Sequence, residues 1–235
     1  MNARDLSEAF EATWPAAEYA DAGGFRVGRG LGGGGRVSSA RRIGAWTETD
    51  IDVAIAIQRG WNQPPMFRLD DDDAQIIAAL KARGFERTTP TAIMALPVAA
   101  LTDLDVPQVT AFSVWPPLAI QRDIWSAGNV GSGRQAVMDR VTGPRAALLG
   151  RIKDRAAGAG FVAVHGNVAM IHAIEVLPEW RRLGLAGWMM REAASWAGDN
   201  GALTLALAVS RANASAVALY EKQGFSETTG YAYYQ

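Results

Sequence analysis

In the stretch Glu175–Trp188, EVLPEWRRLGLAGW, two arginines and a glycine stand between an apolar run and a helix-like one. The first turn of any helix carries unpaired N–H groups and a partial positive charge. A pyrophosphate can lie across them where the backbone is open, which Gly184 and Ala186 allow, and Arg181 and Arg182 add fork-like donors. The same residues also fit a plain helix start decorated with surface arginines. The pattern is neither a Walker loop nor G-x-G-x-x-G. Downstream, Asn213 and Tyr220 lie seven residues apart, two helical turns, and so share a helix face. A shorter relative of the turn, ARRIGAW, occupies residues 40–46.

The elements that must position these residues are legible from periodicity and punctuation. In the first half a helix runs to about Trp14, followed by strands at FRVGRG and RVSSAR joined through LGGGG. A helix at about 47–59, a strand at PMFRL, a helix at about 73–83 and a strand at TAIMAL complete it. The segment PVAALTDLDVPQ, with two prolines and polar breaks, is the boundary, giving units 1–104 and 105–235. The second unit reads as a strand at VTAFSV, helices near 117–126 and 133–140, and strands RAALLGRI, AGFVAVHG and NVAMIHAIEVL. A helix at about 183–197, strand LTLALAV, helix 213–222 and strand YAYYQ close the chain.

The halves repeat. DAQIIAALKARGFERTT (73–89) aligns without a gap to NASAVALYEKQGFSETT (213–229), a shift of 140, and the two Arg-Arg turns share that shift. A duplicated α/β unit, shortened in its first copy, accounts for this.

With 23 basic and 24 acidic residues the net charge is −1, which argues against a nucleic-acid or membrane-surface partner. The chain has no cysteine, which excludes disulfides, thiolate catalysis and Cys-ligated zinc. Two histidines, His165 and His172, are too few for a His-rich metal cage. No apolar run approaches the roughly 18 residues of a membrane span, and the first residues lack a signal-peptide core. A cytoplasmic protein without a metal is expected, and nothing indicates an oligomer.

Strand, turn, amphipathic helix and strand in this order, followed by SRANASAVALYEKQGF, resemble the GNAT N-acetyltransferases over roughly residues 106–235. Arg181-x-x-Gly184-x-Ala186 after Val176 fits that family's acetyl-CoA turn. Asn213, Tyr220, Gly224 and Phe225 fit its second segment. The whole chain resembles a tandem GNAT protein. The fold this implies is α/β (α+β): two GNAT-like domains, each a mixed, mainly antiparallel sheet flanked by helices.

The resemblance implies acetyl transfer from acetyl-CoA to an amine by direct attack in a ternary complex. A small-molecule acceptor is preferred over a protein N-terminus or lysine. A non-catalytic acyl-CoA sensor is the reading from another class. The backbone of Ile174 and Val176 would hold pantetheine, with the Val176 N–H facing the developing oxyanion. Arg181, Arg182, Leu183, Gly184, Leu185, Ala186 and Gly187 would take the pyrophosphate, and Asn213 the pantetheine arm. Tyr220, a phenol with pKa about 10, would protonate a thiolate whose pKa is about 8–9.

An amine with pKa about 10 must lose a proton before it attacks, and His172 or Glu175 would accept it. Strand alternation puts His172 with Ile174 and Val176, and Glu175 on the opposite face. Some family members carry a Glu on the following strand, where this chain has Ala208. The resemblance implies that Trp125 and the Gly-rich link after it lie in the region that shapes the acceptor pocket, although Trp at helical spacing also fits a core position, and that the tyrosines of GYAYYQ either close the pocket or pack.

In the first half, Asp73 and Leu80 stand where Asn213 and Tyr220 do in the second. A carboxylate there would repel CoA phosphates. LGGGG reads as a flexible hairpin link and LDDDDA as an acidic helix start. The first unit therefore reads as a degenerate copy that covers or completes the active one.

Overall fold

Apolar residues at helical spacing bury one face of α7 (Leu185–Asp199), where Leu185, Met189, Met190, Ala193, Ala194 and Ala197 all leave solvent. They rest on a sheet in a computed structural model that describes residues 3–235. In the first half α1 (Ala3–Ala12), β1 (Glu18–Ala22), β2 (Phe25–Arg29), α2 (Gly35–Ser38) and β3 (Ala40–Arg42) come first. They are followed by α3 (Glu48–Gly60), β4 (Phe67–Asp70), α4 (Ala74–Ala82) and β5 (Arg87–Pro97). The second half contains β6 (Ala111–Val114), α5 (Ala119–Ala127), α6 (Ser132–Arg140), β7 (Arg145–Ile152), β8 (Arg155–His165) and β9 (Val168–Val176). After α7 come β10 (Thr204–Ser210), α8 (Ala214–Lys222) and β11 (Ser226–Tyr234).

Two local expectations fail. RVSSAR is not a strand: Gly32 (φ 80°) and Gly34 (φ 93°) reverse the chain, and the Ser38 hydroxyl donates to the Gly34 carbonyl at 3.1 Å, closing the single turn of α2. Only Ala40–Arg42 remain extended, as β3. Strand β1 escapes the sequence pattern because EYADA is acidic and largely exposed, as an edge strand can be.

Among the described residues eleven strands form one mixed sheet in the order β1-β2-β3-β4-β11-β5-β10-β9-β8-β7-β6. Its two parallel pairs, β3/β4 and β9/β10, lie one in each half, and the other neighbours are antiparallel. The centre is an exchange. Strand β5 of the first half sits between β10 and β11, and β11 of the second half sits between β4 and β5. Each half thus completes the other's sheet. In the β5/β11 ladder Thr91 pairs with Tyr231, and these residues are separated by the repeat interval of 140. A residue pairing with its own counterpart marks a local two-fold axis. Gly84 (φ 85°) and Gly224 (φ 93°), also 140 apart, end α4 and α8 in the same left-handed conformation.

The sheet is covered on both faces. α7 packs over β6, β7, β8 and β9, while α5 and α6 bury Trp125, Val137 and Met138 beside Phe161 on the opposite side. α1 bridges the halves: Leu6, Ala9 and Phe10 meet Ile93 and Ala95 of β5, Met170 of β9, Ala206 of β10 and Tyr231 of β11.

Candidate active site between β9 and β10

The parallel ladder of β9 and β10 pairs Val168–Ile171 with Thr204–Leu207 and then stops. Beyond it the strands part. A bulge in β9 marks the parting: between the pairs Ala159–Glu175 and Phe161–His172, β9 has one residue more than β8. Ala173 takes φ 53°, and its carbonyl accepts a hydrogen bond from the Trp125 indole at 2.9 Å. Trp125, fully buried, therefore fixes the bulge.

The extra residue changes which side chains share a face. His172 stacks on Phe161 and lies beside Trp14, while Ile174 and Val176 pack in the α7 core with Ile171. Glu175 turns to the α5–α6 link, where its Oε1 accepts from the Asn129 N–H at 3.3 Å. Regular alternation, which put His172 with Ile174 and Val176 and opposed it to Glu175, is corrected by this bulge. At the end of β9, Leu177 donates to the Ala157 carbonyl, so Val176 occupies a pair without ladder bonds. Its N–H and C=O face away from β8, and the C=O accepts from Arg181 Nε at 2.8 Å.

A cleft of about 600 Å³ opens at the parting. Its walls include Ile171–Glu175, Leu207–Ser210, Asn213 and Tyr220. Tyr220 is half-buried, edge-on to Phe225, and burial pushes its phenol up to about 12. Asn213 caps α8, its Oδ1 accepting from the Ala216 N–H at 3.2 Å and the Ser215 hydroxyl at 3.1 Å.

The turn into α7 is shaped for an anion. Arg182 (φ 65°) and Gly184 (φ 83°) are both left-handed, and such alternation directs successive N–H groups into a concavity. A side chain on Gly184 would meet nothing within 4 Å, so the backbone is open to a ligand. α7 has no acidic residue in its first turn. Leu185 is buried and Leu183 is exposed, so both would contribute through the backbone.

His172 is less free than its sequence position suggests. Its Nδ1 lies 3.0 Å from Arg36 Nη1, and its Nε2 lies 3.0 Å from the Thr13 hydroxyl. A guanidinium can only donate, so Nδ1 accepts, and the neutral ring donates from Nε2 to Thr13. The Thr13 hydroxyl passes its own proton to the Ala9 carbonyl at 2.7 Å. Burial, and then the charge of Arg36, hold the imidazole well below its usual 6.5.

The profile of the Acetyltransferase (GNAT) family matches residues 122–225. The matched span lies within the second half. An uncharacterized N-acetyltransferase of Bacillus subtilis (strain 168), YhfO, is 34% identical over 68 residues. That match covers 29% of this chain and 46% of the relative, so the chain spans about half the length of the curated relative it matches. Two solved structures share the fold. A GCN5-related N-acetyltransferase from Kribbella flavida has TM-score 0.72 at 16% identity, covering 98% of this chain and 92% of that one. A tandem GNAT protein from the clavulanic acid biosynthesis pathway has TM-score 0.62 at 14% identity, covering 89% and 76%.

The first-half counterpart of the turn into α7 is closed by its own side chains. Arg41 pairs with Glu11 at 3.1 Å and Arg42 with Asp73 at 3.0 Å. α3 carries Glu48 and Asp50 in its first turn, and Asp50 Oδ2 accepts from the N–H groups of Thr47 (2.9 Å) and Gly24 (3.2 Å). A carboxylate of the chain itself occupies the helix start. The cavity of about 790 Å³ beside Arg41–Trp46 is therefore lined by arginines already neutralised.

Sequence reading missed part of the cleft. Gly33, Gly34, Gly35, Arg36 and Met66 line it beside the expected Tyr231 and Tyr233, so LGGGG is a wall of the site and not merely a link. The unusual glycine density was the available signal, but only the strand exchange brings it to β9. Trp125 acts behind the wall, while Asn129, Val130 and Arg134 line the cleft. No group of three His, Cys, Asp or Glu suited to a metal occurs among the described residues, and no helix among them is long and apolar enough to cross a membrane.

Proposed function

We propose that the second half transfers an acetyl group from acetyl-CoA to a small-molecule amine by direct attack. The observation that carries this is the convergence of the β9/β10 parting, Tyr220 and Glu175 on one cleft, with the open turn into α7 following the end of β9. Acetyl-CoA supplies the activated acyl carbon; the turn holds its pyrophosphate through N–H groups between Arg182 and Gly187, with Arg181 and Arg182 adding charge. Asn213 meets the pantetheine arm through its amide N–H groups, its oxygen being engaged in the cap. The donors and spacing fit that ligand.

Glu175 takes the proton of the attacking amine: it lines the cleft, and its carboxylate keeps lone pairs beside the Asn129 N–H at 3.3 Å and Arg181 at 3.8 Å, while both His172 nitrogens are engaged. His172 is a positioning residue that fixes Arg36. As the new C–N bond forms, the outward-facing Val176 N–H stabilises charge on the carbonyl oxygen. The C–S bond then breaks, and Tyr220 gives its proton to the leaving sulfur. A phenol at about 12 keeps that proton through neutral pH. The first half walls the cleft with Gly33–Arg36 and Met66, which favours a small acceptor over a protein segment.

The test is CoA thiol release with an amine panel, with acetylated product identified by mass. Turnover that falls in Tyr220→Phe and Glu175→Gln supports the reading; acetyl-CoA binding without turnover of any amine favours an acyl-CoA sensor.

A further inference from the structure

Arg36, from the first half, and Arg134, from α6 of the second, both line the cleft. Among the described residues neither has a carboxylate within 4.0 Å, whereas Arg41, Arg42, Arg68, Arg83, Arg87 and Arg211 are all in ion pairs. Each spends one donor on a neutral acceptor: Arg36 on His172 Nδ1 at 3.0 Å, and Arg134 on the Asn129 carbonyl at 2.6 Å. A guanidinium has five N–H donors, so most of each fork is left for a ligand.

We propose that the acceptor bears a carboxylate beside its amine, bound by Arg36 and Arg134, so that the substrate is an amino acid or a close analogue. This rests on the acetyltransferase reading above. The two cations are held in place. Arg36 lies over the Phe10 ring at 4.2 Å and is tethered by His172, which stays neutral and leaves the Arg36 charge uncancelled. Arg134 runs along Gly34, where an added Cβ would come within 3.2 Å of its Nε. The φ of 93° at Gly34 and this close approach both call for glycine.

The charge pattern matches a zwitterion. Glu175 is the acidic side chain among the residues lining the cleft, and it meets the Asn129 N–H while Arg134 meets the Asn129 carbonyl. One residue's backbone thus links the proton acceptor for the amine to a cation for the carboxylate. Bidentate guanidinium–carboxylate pairing supplies both affinity and orientation. The forks arrive from the two copies of the repeat, which gives the first half a direct part in choosing the acceptor.

The experiment compares amino acids with their own amides and decarboxylated amines at saturating acetyl-CoA, reading kcat/KM for each matched set. The acids are expected to exceed their neutral partners at least tenfold. Arg36→Gln and Arg134→Gln should each collapse that acid-over-amide ratio at least tenfold, mainly through acceptor KM, and Arg36→Lys should restore part of it. Arg134→Gln guards against a folding defect in the packed Arg36 variant, and melting curves accompany both. The proposal is overturned if amides serve as well as acids, if no acid is accepted, or if the variants leave the ratio unchanged. Calorimetry of acetyl-CoA on the same proteins separates the failures: absence of binding sinks the acetyltransferase reading, while normal binding with no acid preference sinks only the carboxylate site.

Discussion

Arg36 and His172, 136 residues apart in the chain, meet at 3.0 Å with the guanidinium donating to the imidazole Nδ1. The contact joins the two copies of the repeat inside the cleft. It also engages the lone pair that a general base would need, which is why we propose a positioning role for His172.

Replacing His172 tests that assignment through stability. His172→Ala strands the donors of Arg36 and the hydroxyl of Thr13, costing about 1–3 kcal/mol near pH 7.5. Because the folded imidazole titrates well below 6.5, its stabilisation is complete above 6.5. As pH falls below 6.5 the unfolded chain takes up a proton that the folded chain refuses. Wild-type stability should then drop by about 1.4 kcal/mol per pH unit from this group, until the folded pKa is reached. Melting curves from pH 7.5 to 5 should show wild type converging on the variant; parallel curves would refute the buried neutral imidazole.

Tyr220→Phe removes the proposed acid and little else. The expected loss is about 10²- to 10⁴-fold in kcat with KM for acetyl-CoA unchanged. With the phenol at about 12, wild-type kcat should show no falling limb from Tyr220 below pH 10. A pH–rate profile of both proteins checks this.

Glu175→Gln keeps the shape of the side chain and the Asn129 contact but cannot accept a proton. Turnover should fall about 10²- to 10⁴-fold while acetyl-CoA still binds with wild-type affinity. Rates within twofold of wild type would move the base elsewhere.

Gly184→Ala puts a methyl group where φ is 83°, at a cost of about 1–2 kcal/mol. Open space surrounds the position, so the protein should fold. Acetyl-CoA affinity should fall at least tenfold as the turn distorts. Unchanged affinity by calorimetry would mean that this backbone does not meet the pyrophosphate.

A chain cut to residues 105–235 should not fold cooperatively, although it holds the whole family match. It lacks β5, which stands between β10 and β11, so both strands lose a neighbour. Circular dichroism and a melting scan would decide; a sharp transition would show that the exchange is dispensable.

Much of this was legible because local signals agreed. The left-handed glycines at 84 and 224 repeat at 140, and the apolar face of α7 follows helical spacing. Spacing placed Gly184 at the start of α7 and Asn213 and Tyr220 on one helix, α8, while their roles rest on the family resemblance. The bulge at Ala173 could not, because a Trp125 indole 48 residues away holds it. Arg36 was hidden for the same reason: it reaches β9 only through the exchange of β5 and β11, a non-local event with no periodicity in the chain.

The most direct test of the central claim is calorimetric titration of acetyl-CoA into the intact chain. One site per chain is predicted, because the turn into α7 is open while Asp50 and Asp73 close its counterpart. Absence of binding, or two equivalent sites, would contradict the account.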